Sequence, residues 1–237
     1  MQPQVIAGLD ESEPSNPATF TAAPMDEDVL REVRKYQIHE ISDAADLDDY
    51  RAFLRDALKP FGLYSEEFLP GTGAVCYKVT FEDRLVAIHR LTPAEPESAL
   101  HRIIPGAHDK RILEVNNVAI EQAFRGDLLL GIILRNCAVL SHSKGYDLVA
   151  GVIRHEMLPL FADFGTIPVR HEPLHLLGDA GIDDYVTYFR TENQAQVDYA
   201  IARGYHYFHR KVTMREIDED VKRARRHPVG GELALNG

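Results

Sequence analysis

The residues best placed to do chemistry fall between Arg111 and His155. Arg125 and Gly126 stand where a strand-like run, 111–120 (RILEVNNVAI), passes through a short connection at 122–126 into a long amphipathic helix at 127–144. The first turn of such a helix leaves about four backbone N–H groups without partners, and its dipole favours an anion there. Glycine at Gly126 lets a phosphate approach the backbone closely. The guest that suits this arrangement is a pyrophosphate or the phosphate of a phosphopantetheine arm. An Arg-Gly pair at a helix start is also an ordinary turn, and Asp127 beside it is also a good structural cap. Arg154 and His155 follow a near-continuous apolar run, 146–153 (YDLVAGVI). That places them at the carboxyl end of a sheet, where open α/β folds bind ligands. Arg154 carries the fork that clamps a carboxylate bidentately, and His155 is a candidate second base. Both also read as first-turn surface residues.

Other polar groups carry weaker signals. Among the 11 histidines, His171 and His175 are four apart but straddle Pro173 in a strand-like run, so they do not share a helical face. His206 and His209 fit no ligand frame, and no thiolates lie nearby, so no metal site is expected. Ser141-His142-Ser143 reads as a polar helix end rather than a nucleophile and its base.

The elements that must position these groups follow from periodicity. Residues 36–41 alternate like a strand. Ser42 or Asp43 caps a helix over 44–59, with Leu47, Tyr50, Phe53, Leu54 and Leu58 on one stripe and Pro60 and Gly62 as its stop. A short helical piece is expected near 65–68. Residues 75–81 and 85–91 form a hairpin across Glu82-Asp83-Arg84, and a short helix precedes Arg111. After the strand at 146–153 come a helix at 155–164, a strand at 167–177, a break at 178–181 and a strand at 185–190. A polar helix near 192–203 and a basic one near 214–226 complete the order. The fold class is mixed α/β: one twisted mixed sheet with helices on both faces, plus extra C-terminal helices.

Composition narrows the classes further. With 237 residues, 45% hydrophobic and 27% charged, the chain can bury a substantial core. A formal net charge of −11 disfavours nucleic acid as a partner. No apolar run approaches the ~18 residues of a membrane span, and the N-terminus lacks the pattern of a secretory signal. Two cysteines, Cys76 and Cys137, make neither a disulfide framework nor a zinc cage. A cytoplasmic location is therefore the expectation. Residues 1–28 read as a flexible arm, 29–212 as one mixed α/β domain and 213–237 as a basic helix and tail.

The stretch Glu114–Gly126 (EVNNVAIEQAFRG) resembles the core segment of the GNAT N-acetyltransferase superfamily: a strand carrying a glutamate, a short linker, then an aromatic-Arg-Gly turn into a long helix. Residues 160–165 (LFADFG) sit where that superfamily carries an L-Y-E-K-x-G element, and the element order from Tyr36 to Arg190 matches its plan. Three departures direct the resemblance to one branch. Leu128 and Leu130 replace the later glycines of the phosphate loop R-x-x-G-x-G/A, and Asp127 adds a negative charge there. Phe161 falls where many members use a tyrosine to protonate the leaving thiolate. An extra C-terminal segment follows residue 190. The segment is similar to the acyl-homoserine-lactone synthases and the N-acyl amino acid synthases, which take acyl chains from acyl carrier protein and so need less grip on a pyrophosphate. The lactone synthases carry Arg where this chain has Asn117, and their conserved tryptophans are absent, because the chain has no Trp. The N-acyl amino acid synthases are the nearer match.

That resemblance implies a long-chain acyltransferase acting on the amine of an amino acid, with no resident cofactor and the phosphopantetheine of acyl carrier protein, or coenzyme A, as donor. Aminolysis of a thioester needs a base and an oxyanion donor. Glu114 is the implied base, and a backbone N–H near Val118, Ala119 and Ile120 the oxyanion donor. Arg223, Arg225 and Arg226, within a late basic run, are candidates to dock the acidic carrier protein. Two other readings remain open: a coenzyme A–dependent acetyltransferase with a degenerate loop, and a GNAT-fold binding or regulatory module without catalysis.

Overall fold

The computed structural model describes residues 27–59, 73–125, 128–175 and 183–191. A short helix α1 (Glu27–Val33) leads into strand β1 (Tyr36–Glu40). Asp43 caps helix α2 (Ala44–Leu58), its carboxylate accepting from the Asp46 N–H at 2.8 Å. Strands β2 (Val75–Phe81) and β3 (Arg84–Pro93) form the expected hairpin, and the turn is tighter than the sequence indicates. Only Glu82 and Asp83 lie outside the strands, both with positive φ (50° and 63°). This is the primed two-residue geometry that suits the twist of paired strands.

Helix α3 (Ala99–Ile103) precedes β4 (Ile112–Ile120), and a 3-10 turn (Gln122–Phe124) precedes α4 (Leu129–Ser143). Then follow β5 (Leu148–Arg154), a 3-10 turn (His155–Met157), α5 (Leu158–Asp163), β6 (Ile167–Pro168) and β7 (Asp184–Arg190). The sheet order is β1-β2-β3-β4-β5-β7-β6, with β4 and β5 parallel and the other neighbours antiparallel.

Both faces of the sheet are covered. Leu129, Ile133, Leu134 and Cys137 of α4 and Leu160 and Phe164 beside them pack on one face against Val79, Ala87, Leu113 and Val149. On the other face, Tyr50 and Leu54 of α2 meet Cys76, Ile88 and Ala119, while Leu100 and Ile104 meet Ile112, Ala150 and Val186. The two cysteines thus lie in separate buried clusters, both as free thiols.

Helix α4 is described from Leu129, with Leu128 at its N-cap, no side-chain cap, and both leucines buried in the core; the start expected at Asp127 lies outside the described residues. Two other boundaries differ from the sequence reading. The run 155–164 divides into a 3-10 turn and a short helix. The strand expected over 167–177 pairs only at Ile167 and Pro168, plus an isolated bridge from Leu174 to Asp184. Between them the His171 ring substitutes for the backbone: its Nε2 accepts the Val186 N–H at 2.8 Å, and its Nδ1 donates to the Glu172 carbonyl. Both ring nitrogens are therefore engaged in holding the sheet edge. The helices expected near 65–68, 192–203 and 214–226 and the break at 178–181 fall outside the described residues.

Gly145 ends α4 with φ +72°, the left-handed conformation that favours glycine. A Cβ there would also lie 2.8 Å from the Arg111 guanidinium. Gly145→Ala is expected to cost about 1–2 kcal/mol and to lower Tm by a few degrees in thermal denaturation.

Candidate active site

Strands β4 and β5 part company in mid-sheet. Their paired register is Ile112↔Leu148, Leu113↔Val149 and Glu114↔Ala150, after which β4 continues to Ile120 and β5 to Arg154 without pairing. Gly151 sits at the divergence, where a Cβ would be 3.2 Å from the Val115 carbonyl oxygen, so glycine keeps the strands close up to this point. Beyond it, among the described residues, the β4 edge from Val115 onward has no strand paired to it on the β5 side; the opening is this gap in the sheet pairing.

Glu114 stands at the mouth of that opening. Strand alternation places it with Ile112 on the face covered by α2 and α3. It is partly buried, and desolvation pushes its carboxyl above the usual range; a hydrogen bond from Asn116 and the charge of Arg90 oppose this. Arg90 sits opposite Asn116 in the β3–β4 register, a diagonal neighbour of Glu114. Directly across from Glu114 is Thr92, whose buried hydroxyl finds no hydrogen-bond partner among the described residues. A desolvated carboxyl, a guanidinium and an unsatisfied hydroxyl therefore share one face beside the strand divergence.

The next residues of β4 form a bulge. Ile88 pairs with Ala119 but Arg90 with Asn116, so Asn117 and Val118 together oppose the single residue His89. Asn117 takes φ +52°, and its side-chain amide donates to the Tyr50 hydroxyl of α2 at 3.4 Å. Val118 and Ile120 turn toward α4, and Ala119 toward Tyr50 and Leu54.

Past β4, the 3-10 turn is pinned by aromatic contacts. Phe124 lies 5.5 Å from Phe81 and 6.4 Å from Tyr36, with the Arg84 guanidinium over its ring, while Arg84 also pairs with Glu121. Arg125, at the end of this turn, donates from Nε to the Ile120 carbonyl at 3.0 Å, so its side chain folds back on the end of β4. Across the opening, Arg154 ends β5 on the Glu114 face. It lies four residues beyond the Glu114 partner Ala150, about 13 Å along the strand. His155 is exposed, with its ring 5.5 Å from Tyr185.

Neither a protein-family model nor a curated protein matches this chain by sequence. Solved structures do match. FeeM, an N-acyl amino acid synthase from uncultured soil microbes, superposes with a TM-score of 0.56 at 12% identity, covering 67% of this chain and 92% of its own. The CoA-dependent acyl-homoserine lactone synthase BjaI, with SAM and isopentyl-CoA, gives 0.52 at 17% identity, over 71% and 90%. The ribosomal-protein-S18-alanine N-acetyltransferase from Escherichia coli gives 0.51 at 11% identity, over 66% and 94%. The chain has the GNAT fold.

In this GNAT fold the structure brings Glu114, Val118, Ala119 and Ile120 onto one strand beside the opening, with Arg125 at its end and Arg154 and His155 on the opposite bank. Gly126, Asp127, Arg223, Arg225 and Arg226 lie outside the described residues. Sequence reasoning did not bring Arg90, Thr92, Tyr50 and Asn117 to this part of the sheet. A signal existed for Arg90, a charge that follows His89 within the mainly apolar run 85–91 (LVAIHRL). Among the described residues, no helix is long and apolar enough to cross a membrane.

Proposed function

We propose that the chain is an N-acyltransferase that moves a long-chain fatty acyl group from the phosphopantetheine of acyl carrier protein onto the amine of an amino acid by direct aminolysis. The observation that carries this reading is the desolvated carboxyl of Glu114 at the divergence of β4 and β5. An extended thioester arm laid along the free edge of β4 meets backbone rather than another strand, and its carbonyl comes beside the bulge. Glu114 takes the proton from the attacking amine as the C–N bond forms, a role helped by a pKa shifted toward the working pH; the C–S bond then breaks, and the proton passes from Glu114 through water to the departing phosphopantetheine thiolate. A backbone N–H in the Val118–Ile120 stretch donates to the oxyanion. Arg154 and the Thr92 hydroxyl offer polar anchors for the acceptor on the Glu114 face.

The phosphate end follows the same logic. Arg125, Gly126 and Asp127 lead toward α4, and leucines at Leu128 and Leu130 leave little of the glycine-rich cradle a full nucleotide pyrophosphate uses. This supports a carrier-protein donor, docked in this reading by Arg223, Arg225 and Arg226. A second reading, coenzyme A as donor, is supported by the isopentyl-CoA bound to the similar CoA-dependent lactone synthase.

Mass spectrometry of lipid extracts from cells expressing the chain tests the proposal. New N-acyl amino acids, absent with Glu114→Gln, support it; unchanged lipids contradict it. A further prediction concerns Arg90. Its positive charge favours the ionised form of Glu114, so Arg90→Leu pushes the carboxyl further up. The acid limb of the kcat/KM profile should therefore move to higher pH, and a shift to lower pH or none would remove Arg90 from the site.

A further inference from the structure

The β4 bulge holds a non-glycine residue in a left-handed backbone inside a strand. Among the described residues, the other non-glycine positions with positive φ, Glu82 and Asp83, are in a hairpin turn. Asparagine tolerates this conformation better than most residues, but it is still disfavoured against extended backbone and persists where surroundings over-determine it. Here the surroundings come from another element. Tyr50 of α2 has no solvent exposure, and its hydroxyl stands 3.4 Å from the Asn117 Nδ2 that donates to it, beside the Cys76 thiol. Burial keeps this phenol protonated far above its ordinary pKa, so the contact does not switch with pH. Leu54 and Ala119 pack in the same buried cluster, which fixes α2 over the bulge.

We propose that Tyr50 is a positioning residue: by tethering the Asn117 side chain it holds the left-handed turn in β4 and thereby the aim of the Val118–Ile120 N–H groups at the thioester oxygen. The catalytic half of this inference rests on the acyl-transfer reading above; the tether itself does not. A bulge re-aims the residues that follow it, so releasing Asn117 to extended backbone would rotate those N–H groups away. The contact with the oxyanion exists only in the transition state, so its loss appears in kcat rather than in donor KM.

Four variants test it: Tyr50→Phe, Asn117→Ala, Asn117→Gly, and the Tyr50→Phe/Asn117→Gly double. Phenylalanine keeps the ring, and so the packing of α2, and removes only the hydroxyl. Glycine adopts positive φ without a tether, whereas alanine does not. Tyr50→Phe should lower kcat about tenfold with donor KM within about twofold. The acid limb of the pH profile should stay in place, because Tyr50 does not bear on Glu114. Asn117→Gly should exceed Asn117→Ala about tenfold, and the double variant should match Asn117→Gly. Independently of turnover, hydrogen–deuterium exchange over 112–120 should quicken about tenfold in Tyr50→Phe while the 36–40 segment is unchanged. Wild-type exchange in Tyr50→Phe overturns the tether, whether or not the chain proves to be an enzyme. Wild-type kcat in Tyr50→Phe, or Asn117→Ala equal to Asn117→Gly, overturns the positioning role while leaving acyl transfer intact. A wild-type chain that forms no amide refutes the acyl-transfer reading, and the positioning role with it, and exchange then decides the tether alone.

Discussion

Glu114→Gln should cut amide formation by about 10²-fold or more while leaving the fold at least as stable as the wild type. The substitution keeps the size of the side chain and its place between Asn116 and Arg90, and removes the proton acceptor. The stability half of the prediction follows from the direction of the pKa shift. Burial raises the Glu114 carboxyl in the folded chain, so the folded state binds its proton more tightly than the unfolded state does. Below the unfolded pKa both states are protonated and the group costs nothing. As pH rises through the unfolded and then the folded value, the ionised, partly desolvated carboxylate weakens the fold. Glutamine removes that penalty, so at neutral pH the variant should match or exceed wild-type stability in denaturant titration. A purely structural Glu114, held by Arg90 as an ion pair, predicts the reverse: normal turnover if any exists, and a weaker fold. The two outcomes separate on one variant.

The second large effect belongs to His89. Its ring has no solvent exposure and stacks on Tyr77 at 4.9 Å, and neither nitrogen has a hydrogen-bond partner among the described residues. Burial pushes its pKa down to about 3 from 6.5. Above pH 6.5 both folded and unfolded chains carry a neutral ring and no linkage arises. As pH falls below that value the unfolded chain gains a proton that the folded chain refuses, so stability drains away until the folded pKa is reached. One refused proton amounts to about 2 kcal/mol between pH 6.5 and pH 5. His89→Phe keeps an aromatic ring on Tyr77 and removes two buried nitrogens left without partners. It should stabilise the chain at neutral pH, by about 1–3 kcal/mol, and the gap should widen on acidification. Parallel stability curves for the two proteins between pH 7 and pH 5 would show instead that the ring is hydrated or protonated in the folded chain.

Much of this arrangement was legible in the sequence. The strand and the long helix between Arg111 and Lys144 are written in local periodicity, and Asp43 and Gly145 announce a helix start and a helix end through side-chain chemistry and backbone freedom. Local signals failed where long-range contacts decide. The alternation of 167–177 reads as a strand, yet the pairing of Ile167 and Pro168 does not continue, and the His171 ring bonds the edge through a contact no periodicity encodes. Tyr50 was placed correctly on the buried stripe of α2, but its meeting with Asn117, 67 residues later, is a fact of tertiary packing. The Asn116-Asn117 pair did carry a hint, since asparagine is poor in strand interiors and tolerant of left-handed backbone. Arg90 reaches Glu114 only through the β3–β4 register, which that same bulge shifts by one residue.

The measurement that bears most directly on the central claim is product analysis with the purified chain. A long-chain acyl group labelled on acyl carrier protein is incubated with a mixture of amino acids, in parallel with the same acyl group on coenzyme A, and the amides are identified by mass. Labelled N-acyl amino acid that depends on Glu114, formed faster from the carrier protein, is the predicted result. Intact thioester from both donors after many hours, with a folded chain, would contradict acyl transfer at the β4–β5 opening.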